Sequence, residues 1–272
     1  VLNSNLNPYQ RDELKARFQG AEPFPYVVWN DFLKPDFARE CASAYPTYEE
    51  AKAQGQEFGA LNERLKVQVC DPTKFKQPIF ALHEELASPA FLAELEYISG
   101  IKLLLADPGL SGGGMHVMGG QGGRLDVHVD FNYQEDKDWH RRLNLLIYLN
   151  PVWEKEWGGA VELWDTEIKT CHESVSPFLN TCVIFETSDK SFHGVTPLVT
   201  PVGVTRNSFA TYYYTSEAPP NWDGVKHSTI FRSRPNEKLR GHVLAPAEQA
   251  ARRMRSVAHG IKKSLKGLVG KD

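Results

Sequence analysis

The chain has no apolar run approaching the roughly 20 residues that a membrane-spanning helix needs. Its first residues lack a charged segment followed by an apolar core, so no export signal is expected. Cysteine is scarce: Cys41, Cys70, Cys171 and Cys182 lie far apart, with no CxxC or zinc spacing. They read as reduced thiols of a cytoplasmic protein, a single disulfide being the alternative. Charge of either sign is not in excess; the net charge is −3, so nucleic acid is not expected as a bulk electrostatic partner. Neither a GxGxxG nor a Walker pattern occurs, which removes the common phosphate-binding loops.

What remains is an ordinary globular composition, 41% hydrophobic and 24% charged over 272 residues. That length suits one large domain burying roughly three quarters of its unfolded surface. A short polar helix is expected near Pro8, a strand in FPYVVWNDFL (24–33) and a helix opened by Pro35. The stretch from Pro46 to Leu65 reads as polar and irregular. Helical periodicity returns over 77–101, broken at Ser88-Pro89, with His83 on a helix face and not a ligand. From Lys102 onward the period is that of strands. A glycine-rich segment (103–125) reads as a bent rim, and a charged loop follows Asp130. Strands are expected at 143–153, 160–165, 167–171, 182–186 and 206–215. Short strands with no intervening helices indicate a mainly β fold with flanking helices, a jelly roll of the cupin kind. Residues 246–269 form a basic amphipathic helical pattern. It reads first as a terminal helix packed on the domain, with contact to an anionic membrane as the secondary reading.

The chemistry centres on GGRLDVHVDF (122–131). Val127, Val129 and Phe131 alternate with His128 and Asp130, so the imidazole and the carboxylate project from one strand face. A third donor from another strand would complete two histidines and one carboxylate, the set that leaves positions open on a non-haem Fe(II). His193, after the apolar strand from Cys182 to Phe185, fits that place; His116 is the rival ligand. On the next alternating segment Arg206, Ser208 and Ala210 share a face. A guanidinium there would grip a carboxylate bidentately, as an enzyme using 2-oxoglutarate requires.

These residues resemble the prolyl-4-hydroxylase-like branch of the 2-oxoglutarate/Fe(II)-dependent oxygenases, in a layout similar to bacterial members. The resemblance rests on His128-Val129-Asp130, His193-Gly194 and Arg206-Asn207-Ser208, with Tyr148-Leu149-Asn150 and Gly158-Gly159 between them, and covers roughly residues 100–216. It implies a double-stranded β-helix over 102–216, with 1–101 as a buttress and 217–272 as a C-terminal extension, all in one compact domain. It also implies iron on His128, Asp130 and His193, and 2-oxoglutarate bound through Arg206 and Tyr148. Ser208, Asn144 and Met118 are expected around that co-substrate, Met118 standing where many relatives have a tyrosine. O₂ is the oxidant, and ascorbate is expected to support turnover.

The expected activity is hydroxylation of an unactivated C–H bond, with succinate and CO₂ as co-products. The substrate would be a polar small molecule, a sugar or natural-product intermediate, or an amino-acid residue of a peptide. His116, Asn132, Arg142 and Trp164 are expected to meet it, with Phe131, Trp139 and Arg141 near the same mouth. The competing readings are a non-catalytic β-sandwich binding module and a cupin-type metal enzyme without 2-oxoglutarate. Asp130, facing an open cavity, is expected to be replaceable by Ala within about 0.5 kcal/mol of stability.

Overall fold

A computed structural model describes residues 5–220 and 222–237. Its helices are α1 (Arg11–Gln19), α2 (Pro35–Ala44), α3 (Tyr48–Gln54), α4 (Gln77–Leu86) and α5 (Pro89–Ser99). Its strands are β1 (Tyr26–Trp29), β2 (Gln56–Gly59), β3 (Glu63–Val69), β4 (Leu105–Ala106), β5 (Gly114–Gly119), β6 (Arg124–Val129) and β7 (Tyr133–Gln134). They continue with β8 (Trp139–Tyr148), β9 (Val161–Trp164), β10 (Cys171–Val175), β11 (Cys182–Glu186), β12 (His193–Val195), β13 (Thr205–Thr215) and β14 (Ile230–Phe231).

All the strand pairs are antiparallel, and the main path runs β1-β11-β8-β13-β5-β3-β6-β12-β9-β10. One cavity is lined by residues from every strand of that path between β8 and β9, so the sheet folds over itself into a double-stranded β-helix. The N-terminal segment is more than a buttress, since β1 and β3 are strands of this sheet. After the core, β14 adds a short strand to β6.

Alternation divides the larger half of the sheet cleanly. Leu143, Leu145 and Ile147 of β8, Met115 and Val117 of β5, and Phe209 and Tyr213 of β13 face outward. They join Leu82, Leu86, Phe91 and Leu95 of α4 and α5 in the main core. Each such large apolar side chain contributes roughly 1.5–3 kcal/mol by leaving water. Asn144 and Leu146 of β8, His116 and Met118 of β5, and Arg206, Ser208 and Tyr212 of β13 turn inward and line the cavity. The helices are started locally: α5 by Ser88, whose hydroxyl accepts from the Phe91 amide, and α3 by a reciprocal Thr47–Glu50 capping box.

Several expectations are corrected. Residues 46–65 are not irregular: the capping box starts α3, and β2 and β3 follow, β3 hiding its strand character in an alternation of charged and apolar residues. Helix α1 begins at Arg11, three residues after Pro8. The strand expected at 167–171 is a turn, its amides at Glu167, Lys169 and Thr170 satisfied by the Asp165 carboxylate, and the strand is β10. The charged loop after Asp130 ends early, because β8 starts at Trp139 and stops at Tyr148. The glycine-rich segment contains the full strand β5. The basic pattern at 246–269 lies outside the described residues. Among the described residues no helix is long and apolar enough to cross a membrane.

Gly114 opens β5 with φ +85°, and an added Cβ would lie 2.2 Å from the Val69 carbonyl oxygen of β3. Gly114→Ala is expected to cost more than about 1 kcal/mol, since the left-handed backbone and the close approach both oppose it. Thermal melts should fall by at least roughly 2–4 °C; a melt equal to the parent's would contradict this β3–β5 contact.

Candidate metal centre and co-substrate pocket

Strand β6 carries His128 inward while Val127 and Val129 pack behind it with Trp164 and Phe192. His193 of β12 stands directly opposite His128 in the antiparallel register, with ring centroids 4.3 Å apart. Asp130 follows β6 by one residue. Its Oδ1 is 3.6 Å from His128 Nε2, and its Oδ2 is 3.4 Å from His193 Nε2. One donor atom from each of the three residues falls within 4.8 Å of the others.

The tautomers are set by the backbone. His128 Nδ1 donates to the Asp126 carbonyl at 2.8 Å, and His193 Nδ1 to the Ser191 carbonyl at 2.9 Å. Each Nε2 therefore presents a lone pair toward Asp130, as metal-ligating imidazoles require. Burial, and then His128, push His193 down to about 4, so it is neutral over the ordinary pH range. Burial alone would raise the Asp130 carboxyl, but Arg141 and the two imidazoles hold it well below the usual carboxylate range. Two neutral nitrogens and one carboxylate oxygen are the donor set suited to a non-haem Fe(II).

Asp130 is itself held. Asn144 Nδ2 donates to its Oδ2 at 2.6 Å, and Arg141 Nη2 lies 3.2 Å from the same oxygen. Arg141 lies between the Tyr212 ring at 3.5 Å and the Phe131 ring at 4.5 Å, and its Nε donates to Asn144. A β-bulge puts it there. Tyr213 pairs with Leu143 but Tyr214 pairs with Arg141, so Arg142 is skipped and the neighbouring arginine turns inward.

At the other part of the same cavity, of about 240 Å³, stands Arg206, 4% exposed. Its Nε donates to the Gly159 carbonyl at 2.6 Å and its Nη1 reaches Ser208 Oγ at 3.4 Å. Gly159 has φ +72°, and a Cβ there would come within 3.0 Å of the Arg206 side chain. The guanidinium lies 4.8 Å from the Tyr148 ring. Burial pushes the Tyr148 hydroxyl up to about 12, and that hydroxyl makes no well-formed hydrogen bond. Among the described residues Arg206 makes no ion pair, so a buried guanidinium on the cavity wall and the buried phenol beside it have no carboxylate partner. A dicarboxylate would complete both, since a buried charge is costly unless paired. The residues present therefore fit both an iron and 2-oxoglutarate.

The structure gathers His128, Asp130, His193, Arg206, Ser208, Asn144, Met118 and His116 on the cavity wall. Met118 lies across from Arg206 in the strand register. His116 is no part of the three-donor cluster; it contacts Gln68 Nε2 at 2.9 Å, and burial holds it well below its ordinary value. Tyr148 stands behind Arg206. Three residues expected at the substrate lie elsewhere. Asn132 and Arg142 line a separate cleft, Arg142 because the bulge excludes it, and Trp164 is buried in the apolar layer behind β6. The wall residues Phe58, Lys66, Gln68, Thr229 and Phe231 carry no motif and were not legible from the chain alone.

Two outcomes follow from this electrostatics. Asp130→Ala leaves the Arg141 guanidinium buried without its counter-charge, so the metal-free protein should lose on the order of 3 kcal/mol in denaturant unfolding. This replaces the near-neutral cost expected from an open-cavity residue. His116 and His193 stay neutral when folded but take up protons near pH 6.5 when unfolded. Their contribution to stability is complete above about 6.5 and is lost as the pH falls toward 4. The unfolding midpoint of metal-free protein should thus be lower at pH 5 than at pH 7.5; equal midpoints would contradict the burial of both rings.

Comparison with known proteins bears on the same residues. Residues 113–214 match the model of the 2OG-Fe(II) oxygenase superfamily. Over 78 residues the chain is 33% identical to mouse (Mus musculus) prolyl 3-hydroxylase OGFOD1, a stretch that makes up 27% of this chain and 14% of that protein. The match thus spans only a small part of that curated relative. A Trichoplax adhaerens prolyl hydroxylase, solved with a peptide of the hypoxia-inducible factor oxygen degradation domain, aligns with a TM-score of 0.54 at 16% identity. That alignment covers 75% of this chain and 90% of the other. The epimerase SnoN of nogalamycin biosynthesis, solved with Fe3+, α-ketoglutarate and nogalamycin RO, aligns with a TM-score of 0.52 at 14% identity, covering 82% and 96%. At such identities the two structures show the fold alone. The family match spans the three donors, Tyr148 and Arg206, so this stretch of the chain is similar to the 2OG-Fe(II) oxygenase superfamily at the residues that build the site.

Proposed function

We propose that this protein is an Fe(II)- and 2-oxoglutarate-dependent dioxygenase that hydroxylates an unactivated C–H bond. His128, Asp130 and His193 hold the iron, and Arg206 with Tyr148 and Ser208 holds the far carboxylate of 2-oxoglutarate. The observation that carries the reading is the buried Arg206, without an acidic partner among the described residues, in the same cavity as two imidazoles and a carboxylate aimed at one point. When bound, iron, 2-oxoglutarate and O₂ supply the oxidising power, giving succinate and CO₂ and placing one oxygen atom in the C–H bond.

The chain's own part is orientation and exclusion of water. Asp126 and Ser191 carbonyls fix the imidazoles, Asn144 and Arg141 fix the carboxylate, and the Gly159 carbonyl fixes the guanidinium. A carboxylate in the third position favours hydroxylation, because it leaves no ligand place for a halide. The substrate is read as a residue-sized group of a peptide or a polar small molecule. A cavity of about 240 Å³ that must also take a five-carbon diacid favours the residue-sized group, and prolyl hydroxylases among the relatives support it. Four free cysteines support a reducing, cytoplasmic setting.

The test is anaerobic addition of Fe(II) and then 2-oxoglutarate, following the weak visible charge-transfer band, beside succinate formation with ascorbate. A non-catalytic binding module would give neither signal, and a cupin-type metal enzyme would bind iron without the band. Arg206→Ala loses a charge-assisted hydrogen-bond pair worth roughly 1.5–3 kcal/mol, so 2-oxoglutarate affinity should fall about 10- to 100-fold with iron affinity nearly unchanged. Arg206→Lys keeps the charge without the fork and should fall between. His193→Ala should abolish succinate formation; turnover at the parent's rate would sink the ligand set.

A further inference from the structure

Every group placed so far at the donor cluster or beside Arg206 lies within residues 113–214, the stretch that matches the family. Part of the remaining cavity wall does not. Phe58, Glu63 and Lys66 come from β2 and β3, and Thr229 and Phe231 from a segment that begins after the match has ended.

That second segment, 225–234, is tied across the donor cluster. Asn132, two residues after Asp130, donates from Nδ2 to the Val225 carbonyl at 2.9 Å and accepts the His227 amide on Oδ1 at 3.0 Å. His227 Nε2 sits 2.8 Å from Asp189 Oδ1, in the turn that leads to His193. The strap then pairs with β6 as β14: Ile230 faces Val129 and Phe231 faces His128. The Arg232 amide donates to the Val127 carbonyl at 2.7 Å. Strand β3 pairs with β6 only at Arg124 and Leu125, so β14 takes over that edge where the metal-ligand end begins.

The far end is held by charge. Arg234, 6% exposed, donates from Nε to Glu162 Oε2 at 2.7 Å and from Nη2 to the Val195 carbonyl at 3.1 Å, joining β9 and β12 to the strap. Glu237 accepts from Arg124 Nη2 at 2.7 Å. Arg234 does not line the cavity. The residue it holds in place does, for the Phe231 ring lies 5.4 Å from the His128 ring.

We propose that this strap is the wall that selects the primary substrate. Phe231 and Thr229 set the size of the group that reaches the metal point, and Arg234 is the positioning residue that keeps them there. The proposal rests on the oxygenase reading above. Phe58, Phe131 and Phe231 give the chamber apolar ring faces, so the reacting group it takes is a compact hydrocarbon ring or branch, with its polar flank near the Glu63–Lys66 pair.

The experiment uses full-length protein loaded with Mn(II) and two chelating probes. Pyridine-2,4-dicarboxylate is compact, and 8-hydroxyquinoline-5-carboxylate carries a second fused ring; binding of each is measured by calorimetry. Phe231→Ala should bind the fused-ring probe about tenfold tighter, as relief of overpacking implies, with the compact probe within about twofold. Thr229→Trp should weaken the fused-ring probe by about tenfold in the opposite sense. Arg234→Gln should shift probe selectivity in the direction of Phe231→Ala and speed amide hydrogen exchange across 227–232. Unchanged selectivity in both Phe231→Ala and Thr229→Trp overturns the wall, and unchanged exchange in Arg234→Gln overturns its positioning role. If Mn(II)-loaded parent binds neither probe, the oxygenase reading fails instead, while the exchange measurement still scores the docking of the strap.

Discussion

The central strands of the larger half-sheet are buried on both faces, and the two faces demand opposite chemistry. One face meets helices and must be apolar; the other encloses a cavity and carries imidazole, amide, hydroxyl and guanidinium groups. Because side chains alternate with a period of two, a shift of one residue in β13 would turn Arg206 toward the helical layer and Phe209 into the cavity. The helical layer therefore does more than stabilise. It locks the register that aims the polar groups, and the antiparallel pairing of β6 with β12 converts that register into two histidine rings 4.3 Å apart.

Charge within the cavity follows an equally strict logic. Arg141 is matched by Asp130 and Lys66 by Glu63, each inside hydrogen-bonding range or close to it. Among the described residues Arg206, alone of these three cations, makes no ion pair and meets a carbonyl, a hydroxyl and an aromatic ring. The cavity is thus nearly self-neutral at the donor cluster and has an unpaired positive charge away from it. A divalent cation adds positive charge at the first place, and a dicarboxylate bridging the two places offsets both. Binding of the two would be coupled by this arrangement, since each would improve the field for the other.

The cavity also divides by origin. Its reacting end is made of residues that match a large family, whereas its outer wall is made of β2, β3 and the strap. Such a division is how one fold serves many substrates: the metal and co-substrate ends stay the same while the segments around them change. Here the strap is bound to β6, β9 and β12 by hydrogen bonds and a buried charge cluster, so the strap and the three-donor cluster are mechanically joined.

The chain alone pointed to the mainly β core and to His128, Asp130, His193 and Arg206 as candidates for one site, because strand alternation and short local motifs are written in neighbouring residues. It also determined the breaks at Pro35 and Ser88-Pro89, where ring geometry and a capping hydroxyl act within one turn. It did not determine which of Arg141 and Arg142 faces the cavity. Simple alternation from Asn144, Leu146 and Tyr148 points to Arg142, and only the bulge imposed by pairing with β13 reverses the choice. Nor did it show β3, whose charged residues look solvent-facing until β5 pairs beside them, or the placing of Phe231, which lies more than 100 residues from the histidine it covers. Those positions depend on contacts between distant segments, and the energies that decide them exist only once the sheet has closed.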